Sequence, residues 1–486
     1  MKTKIPGVHV SEVAEMGTTV EMVDTAIPVF IGYTEKAVDI GGTSLTRVPK
    51  RITSLREYEQ SFGGAYLETL YVDVTQPAAA NLSAQFVNPP AGTTPAPTLT
   101  APFFLPSFLL HYSIALFYAN GGRACYILSV GPYGFRNGAP DISSAVLKDA
   151  FPILEAHVGP TLIVIPDACR LSLTAESTDI QTVADIANAS LAHCSKMRDR
   201  FAIIDVPISQ AAIAPGVASS VLDADITFRS HLIDDVEPLR YGAAYYPYVR
   251  TDMAYATGPG HVHITSTLYA GTLSGAQTSR TDVYDVVNRM VTGTQALLPP
   301  GGGVAGCYAR VDDTGGVWKA PANVDLTDVV AATINVNDDF SVALSDLSGK
   351  SINPIRTLPG RGTLIWGART LAGNDTDYRY VPVRRFVICV EQSIKKATAR
   401  FVFEPNDARA WAKVHDMIEN FLNGLWRNGA LQGNKPEDAF FVRVGLGATM
   451  TPQDLLDGKM IVVIGVATVR PAEFVIVSIT QLMPKP

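Results

Sequence analysis

"TLIVIPDA" (161–168), "DIQTVADIANASLAHCSKM" (179–197) and "RFAIIDVP" (200–207) follow one another almost without a break. The first and third are short, continuous apolar runs rich in β-branched residues, as expected of strands buried on both faces. The middle stretch repeats apolar residues at Ile180, Val183, Ile186, Ala187 and Leu191, the spacing of one helical face. Strand, helix, strand of this kind predicts a parallel sheet covered by helices, and so an α/β fold.

Upstream, "TAIPVFIGYTEKA" (25–37) reads as another buried strand followed by turn residues. "SFLLHYSIALFYANGGRACYILSVG" (107–131) reads as a helix, an Asn-Gly-Gly stop and a strand, with Gly121 and Gly122 supplying the position past the helix end. Between them, residues 73–107 are rich in Pro, Ala and Thr ("NPPAGTTPAPTLTAP", 88–102), which predicts a long exposed excursion.

From residue 351 the pattern changes. "RRFVICVEQSIKKATARFVFEPND" (384–407) opens as a strand or a helix and turns at Glu404-Pro405-Asn406-Asp407. A helix over about 407–427 repeats apolar residues at Trp411, Val414, Ile418, Phe421 and Leu425, and Asn428-Gly429 stops it. "FFVRVGLGA", "KMIVVIGVATV" and "EFVIVSITQL" predict three strands, with a short capped turn at "TPQDLLDG" (451–458). The C-terminal part is therefore expected to be α+β.

Composition narrows the function classes. The chain has 486 residues, 47% hydrophobic and 17% charged, enough for several domains and a large core. A net charge of −7 argues against a nucleic-acid surface, which needs clustered positive charge. The five cysteines (Cys125, Cys169, Cys194, Cys307, Cys389) are scattered, so buried free thiols are expected, with neither a disulfide framework nor a zinc site. The start, Met1-Lys2-Thr3-Lys4 and then Pro6-Gly7, leads into no apolar run, so no signal peptide is expected. "MIVVIGVATV" (460–469) is too short to span a bilayer.

Motifs that resemble chemistry fail on context. "PPGGGVAG" (299–306) matches G-x-G-x-x-G, but the double Pro before it and the strand-like "CYARV" after it predict a loop. "LSGKS" (347–351) has Leu344 where a phosphate loop needs its first glycine. "HVH" (261–263) has no third ligand near it in sequence and reads as ordinary loop histidines. His193 and Cys194 are neighbours on a predicted helix and diverge, so with Asp205 they make no reaction centre. No catalytic, cofactor or metal residues are assigned, and no enzyme activity is expected. Arg356, Arg361, Arg369, Arg384, Arg385, Lys395 and Lys396 form a basic stretch in an acidic protein, either a solvated face or a docking surface for an acidic partner.

The two termini are unusual. "IPGVHVSEV" (5–13) and "AEFVIVSITQL" (472–482) are good strand formers at positions that ordinarily fray. Either they pair with the chain's own body, or they are offered to other copies.

Six segments in order carry a family likeness: "IPGVHVSEV", "NGGRACYILSVG", "GGGVAGCYARVDDTGGVWKAPANV", "INPIRTLPGRGTLIWGARTL", "YRYVPVRRFVICVEQSIKKATARFVFEPND" and "RPAEFVIVSITQ". Together they resemble the contractile tail sheath proteins of phages and phage-like extracellular injection particles, from residue 5 to residue 482. The resemblance implies an N-terminal arm over 1–25 and an outer, subtilisin-like mixed-sheet α/β domain over 26–350. Variable insertions would lie near 73–107 and 208–280, with a C-terminal inner domain over 351–486 ending in a swapped strand at 472–486. It implies stacked hexameric rings around an inner tube, a baseplate and a tail terminator, and it allows for sheath paralogues, with neither nucleic acid nor membrane insertion. It implies synthesis in the bacterial cytoplasm and assembly into a virion or extracellular particle. By likeness, Val8, Val10, Val13, Phe474, Val475, Ile476, Val477 and Ile479 would pair with neighbouring copies, with Pro6, Gly7, Arg470 and Pro471 as linker hinges. Arg384, Arg385, Lys395, Lys396, Asp454 and Lys459 are the candidate tube or subunit contacts. The alternatives are a type VI-like secretion sheath recycled by an ATPase, or an α/β hydrolase.

Overall fold

The computed structural model describes residues 19–76, 82–87, 99–100, 103–136, 139–172, 177–208, 227–345 and 349–473. The chain divides into two units, one built from Asp24–Ile388 with residues from Arg470 onward, the other from residues up to Val23 with Cys389–Val469.

The larger unit is organised by a nine-stranded mixed sheet. Its strands are β1 (Pro28–Thr34), β2 (Lys50–Ile52), β3 (Cys125–Pro132), β4 (Leu162–Val164), β5 (Phe201–Asp205), β6 (Gly242–Tyr246), β7 (Val324–Asp325), β8 (Ile352–Leu358) and β9 (Gly362–Ile365). Their order is β7-β9-β8-β6-β5-β4-β1-β3-β2. From β8 to β3 every pairing is parallel, with Phe30 opposite Val164 and Ile127, Ile203 opposite Ala243, and Ala244 opposite Ile352. The sheet edges are antiparallel. Every residue of β1, β4, β5 and β6 is buried, which is why these strands read as unbroken apolar runs.

Three helices of this unit supply the groups that meet the strand ends. α1 (Leu110–Ala119) ends at Asn120, and Gly121 takes φ +105° to turn the chain. α2 (Ser177–Met197) buries Val183, Ile186, Ala187 and Leu191, the face its spacing requires. α3 (Gly301–Gly315) corrects an expectation. The Gly-rich segment is not a loop, and "CYARV" is not a strand, because a strand at Gln295–Leu298 leads through Pro299-Pro300 directly into this helix. Glycine disfavours helix, but tertiary packing decides here. A Cβ on Gly302 would collide with the Ser113 carbonyl oxygen, and one on Gly306 with that of Phe117, so only glycine lets α3 lie against α1.

Three boundaries also differ from expectation. Residues 351–388 join the larger unit, because β8 pairs with β6, and the division falls at Ile388/Cys389. The 208–280 region supplies β6, a central strand, so it is not simply an insertion. The 73–107 excursion is partly ordered sheet: Leu70–Thr75 and Ser83–Phe86 pair antiparallel. With Val262–Thr265 and Ala270–Thr272 they form a four-stranded sheet over a second core that includes Leu70, Val72, Ile264, Val283 and Val287.

In the smaller unit, α4 (Val381–Thr398) enters from the larger one, which settles the strand-or-helix question for this segment. α5 (Ala408–Arg427) is capped by Asp407, whose carboxylate accepts from the Arg409 and Ala410 amides, and it buries Val414, Met417, Ile418, Leu422 and Leu425. It stops at Asn428, with Gly429 at φ +77°. β10 (Phe440–Val444) pairs antiparallel with β11 (Val462–Val466), Val442 opposite Ile464. Between them, α6 (Pro452–Leu456) carries a capping box of Thr451 and Asp454. Val8, Val10, Val13, Pro6, Gly7, Phe474, Val475, Ile476, Val477 and Ile479 lie outside the described residues.

Candidate functional site

In an open parallel sheet, ligands bind beyond the carboxyl ends of the strands where the strand order reverses. Here that point lies between β1 and β4, and helix N-termini there would attract an anion. The chain places its own carboxylates at strand ends here, Asp167 at the reversal and Asp205 at the end of β5, and buries a third, Glu68, against Ser107 just before α1. Asp167, just past β4, accepts from the Tyr33 amide at 2.7 Å and from the Leu109 amide, at the start of α1, at 2.7 Å. Asp205, closing β5, accepts from the Gly301 amide that opens α3 at 2.6 Å. Glu68 accepts from the Ser107 amide at 2.5 Å and its hydroxyl at 2.9 Å. Burial pushes the carboxyl of Asp167 up to about 6, and those of Asp205 and Glu68 up to about 7, against the opposing pull of these donors.

The other chemical motifs are likewise absorbed by the fold. Lys350 of the Gly-Lys-Ser sequence donates to the carbonyls of Arg229 and Leu232 and to Asp234. His263 lies on a strand rather than a loop and stacks on Tyr71, ring centroids 5.2 Å apart. His193 lies 3.3 Å from Arg200, and burial with that guanidinium lowers it to about 4. All five cysteines are buried and free. Among the described residues, the group of side chains suited to a metal ion is His415, Asp416 and Glu419, on the surface of α5. No described helix is long and apolar enough to cross a membrane.

The chain crosses between the two units three times, at 23/24, 388/389 and 469/470. On the larger-unit side, each crossing is followed or preceded within a few residues by a charged clamp. Arg385 makes a bidentate pair with Asp312 of α3 at 3.0 and 2.5 Å, and Asp312 also accepts from the Thr25 hydroxyl at 2.6 Å. Arg385 further stacks over Tyr308, whose hydroxyl meets that of Tyr245. At the third crossing, Glu473 receives Arg369 through two nitrogens, at 2.6 and 2.7 Å, and the Tyr380 hydroxyl at 3.1 Å. Arg470 and Pro471 stand at that crossing.

The basic stretch therefore needs correcting. Arg369, Arg384 and Arg385 are all buried within the chain and cannot present a solvated or tube-facing surface. Arg384 donates to the Tyr241 hydroxyl at 2.7 Å and lies over the Tyr241 and Tyr378 rings. Arg356 pairs with Asp338, and Arg361 bonds Asn323. Lys395 and Lys396 remain exposed on α4. Asp454 is engaged in the α6 cap, and Lys459 pairs with Asp457 at 3.0 Å. Sequence reasoning missed Asp167, Asp312 and Glu473, and weighed Asp205 only as a partner of His193 and Cys194. One available signal was an acid closing an apolar strand run, as in "LIVIPD" and "FAIID".

Residues 373–481 match the phage tail sheath C-terminal domain family. Over the whole chain the likeness is to sheaths of contractile injection systems. The PVC sheath, from an extracellular contractile injection system in its contracted state, is 28% identical, with 99% of this chain and 98% of that one covered and a TM-score of 0.61. The contracted helical sheath of the anti-feeding prophage is also 28% identical, covering 99% and 100%, with a TM-score of 0.61. The tail sheath protein of Enterobacteria phage T4 is 24% identical over 168 residues and that of Salmonella phage ViI 27% over 157, these matches spanning 35% and 32% of this chain. The chain spans about a quarter (24%) of the length of each of these two phage proteins. By fold and C-terminal domain, then, the chain is similar to the class of contractile tail sheath proteins. Within it, the full-length likeness described is to the sheaths of phage-like injection particles.

Proposed function

We propose that the protein is the structural subunit of a contractile tail sheath, polymerising as stacked hexameric rings around an inner tube and shortening to drive that tube through a target envelope. The full-length likeness to two contracted sheaths, one of them helical, and to a chain of the 6-fold symmetrised anti-feeding prophage baseplate supports this reading. So does the use of the strand-end crevice for internal carboxylates, which suits a scaffold without catalysis.

The observation that carries it is the β10–β11 sheet. It has only two described strands, so both outer edges lack a described strand partner, and Phe441 and Val463 on it are 45% and 43% exposed. A two-stranded sheet is marginal in water, and an open edge invites pairing. Strands donated by adjacent copies, over Val8–Val13 and Phe474–Leu482, would complete it through main-chain hydrogen bonds, each contributing about 1 kcal/mol net. Pro6-Gly7 and Arg470-Pro471 would be the hinges of these arms. The larger unit would form the outer, subtilisin-like layer. Lys395, Lys396, Asp454 and Lys459 remain the candidates for contact with the tube. Repacking at such interfaces is bistable, so a small shift per subunit can pass along the polymer from a baseplate trigger.

Negative-stain images of the purified protein, and of a variant lacking residues 1–13, test the proposal. Hollow tubes are expected from the intact chain and a folded, soluble monomer from the variant. Separate globules from the intact chain would remove the sheath reading, and tubes from the variant would remove the arm's role.

A further inference from the structure

The turn between α4 and α5 presents two large apolar side chains to solvent: Phe403 is fully exposed and Val402 is 62% exposed. Phe403 also holds φ at +72°, a conformation bulky residues rarely adopt. Folding gains nothing from a bare phenyl ring on strained backbone, and such strain persists where a function uses it. Lys395 and Lys396 stand exposed in the last turn of α4, a few residues before this tip. Of the acids on the turn, Asp407 is committed to capping α5, which leaves Glu404. The tip is thus an apolar knob on a basic base.

The larger unit carries a cavity of about 490 Å³ with Val236, Leu239, Leu371 and Ala372 among its walls and Asp234 and Asp377 exposed beside them. Asp235 and Glu237 adjoin it in sequence. Of its two cations, Arg240 is held by Glu237 and Asp375, and Lys350 by two backbone carbonyls and by Asp234, whose side chain is nonetheless 99% exposed and open to a second cation. Apolar side chains therefore share the cavity with polar ones, and acids outnumber cations around it, which complements an apolar knob flanked by lysines.

We propose that the Val402–Phe403 tip of one copy seats in this cavity on a second copy, with Lys395 and Lys396 facing Asp234 and Asp377. The inference rests on the polymer reading above. Knob and cavity are different parts of the chain, so the contact is heterologous and, when repeated, extends a filament instead of closing a twofold dimer. The phenyl ring anchors it and the charges set its register.

The test uses the full-length protein, with sedimentation velocity and negative-stain microscopy. Phe403→Ser, the pair Lys395→Glu with Lys396→Glu, and the pair Asp234→Lys with Asp377→Lys are each expected to raise the concentration needed for assembly by about tenfold or more. Thermal unfolding of the monomers should stay unchanged. Mixing the two charge-reversed variants should restore assembly, because each copy's knob then meets a cavity of opposite charge. Wild-type assembly by all variants overturns the contact while leaving the polymer reading standing. Loss without rescue in the mixture also overturns it, and directs the tip to an acidic partner other than this chain. A wild-type protein that never assembles removes the polymer reading itself.

Discussion

Asp312 and Arg385 face each other through two hydrogen bonds, one to each carboxylate oxygen, with side chains only 7% and 3% exposed. The pair joins α3 to α4 three residues before the chain leaves the larger unit, and through Thr25 it also holds the first residues after the N-terminal crossing. A buried ion pair is costly to break from one side, because the remaining charge stays desolvated. Arg385→Met is therefore expected to lower unfolding free energy by about 3–5 kcal/mol, measured by denaturant titration. Adding Asp312→Leu should recover much of that loss. A single variant as stable as wild type would show that the pair is not the clamp described.

Glu473 plays the corresponding part at the third crossing. Arg369 is 5% exposed at its side chain and Glu473 29%, so among the described residues this carboxylate is the one that balances the buried guanidinium. Glu473→Gln keeps the shape and removes the charge, with an expected cost of about 1–3 kcal/mol. Faster hydrogen exchange over residues 470–473 and earlier cleavage at Arg470 should accompany it. Unchanged exchange there would mean that the crossing is held by something else.

These two clamps also mark where the sequence stops being informative. The strands of the parallel sheet were legible because burial on both faces leaves an unbroken apolar run, as in β4 and β5. The α5 boundaries were legible because Asp407 and Asn428-Gly429 carry local capping chemistry. Arg369 and Arg385 were not, since each meets its acid across a long stretch of chain and no spacing rule connects them. Arginine in a basic run reads as surface because it is rarely buried unless paired. The membership of residues 351–388 was hidden for the same reason: the pairing of β8 with β6, Ala244 opposite Ile352, assigns them to the larger sheet across more than a hundred residues. Local signals specify elements, while long-range contacts specify which unit an element joins.

The Gly-rich start of α3 gives a prediction of the same kind. Alanine is the better helix former by about 1 kcal/mol, so propensity alone favours Gly302→Ala. The new Cβ would overlap the backbone oxygen of Ser113, which cannot rotate away, so α1 and α3 must separate. A net loss of about 1–3 kcal/mol is expected. Gly424, on the exposed face of α5 with nothing within 4 Å, is the control. Gly424→Ala should stabilise by about 0.5–1 kcal/mol. Equal behaviour at the two sites would remove the packing explanation.

Asp205 makes stability depend on pH. Its carboxyl titrates near 7 in the folded chain and near 4 when unfolded, because burial outweighs the Gly301 N–H that favours the charge. A raised carboxyl pKa means the folded state holds its proton more tightly than the unfolded state. The stability from that proton is complete below about pH 4 and is lost as pH rises through about 7. Asp167 and Glu68, raised to about 6 and about 7, act in the same direction. Unfolding free energy should therefore fall between pH 5 and pH 8, by an amount of order a few kcal/mol for each such group. Asp205→Asn keeps the acceptor for Gly301 and removes the titration. Its cost should be larger at pH 5 than at pH 8, and the slope between them shallower than in wild type. Parallel stability curves for variant and wild type would mean that Asp205 is ionised throughout, with the N-terminus of α3 compensating its burial.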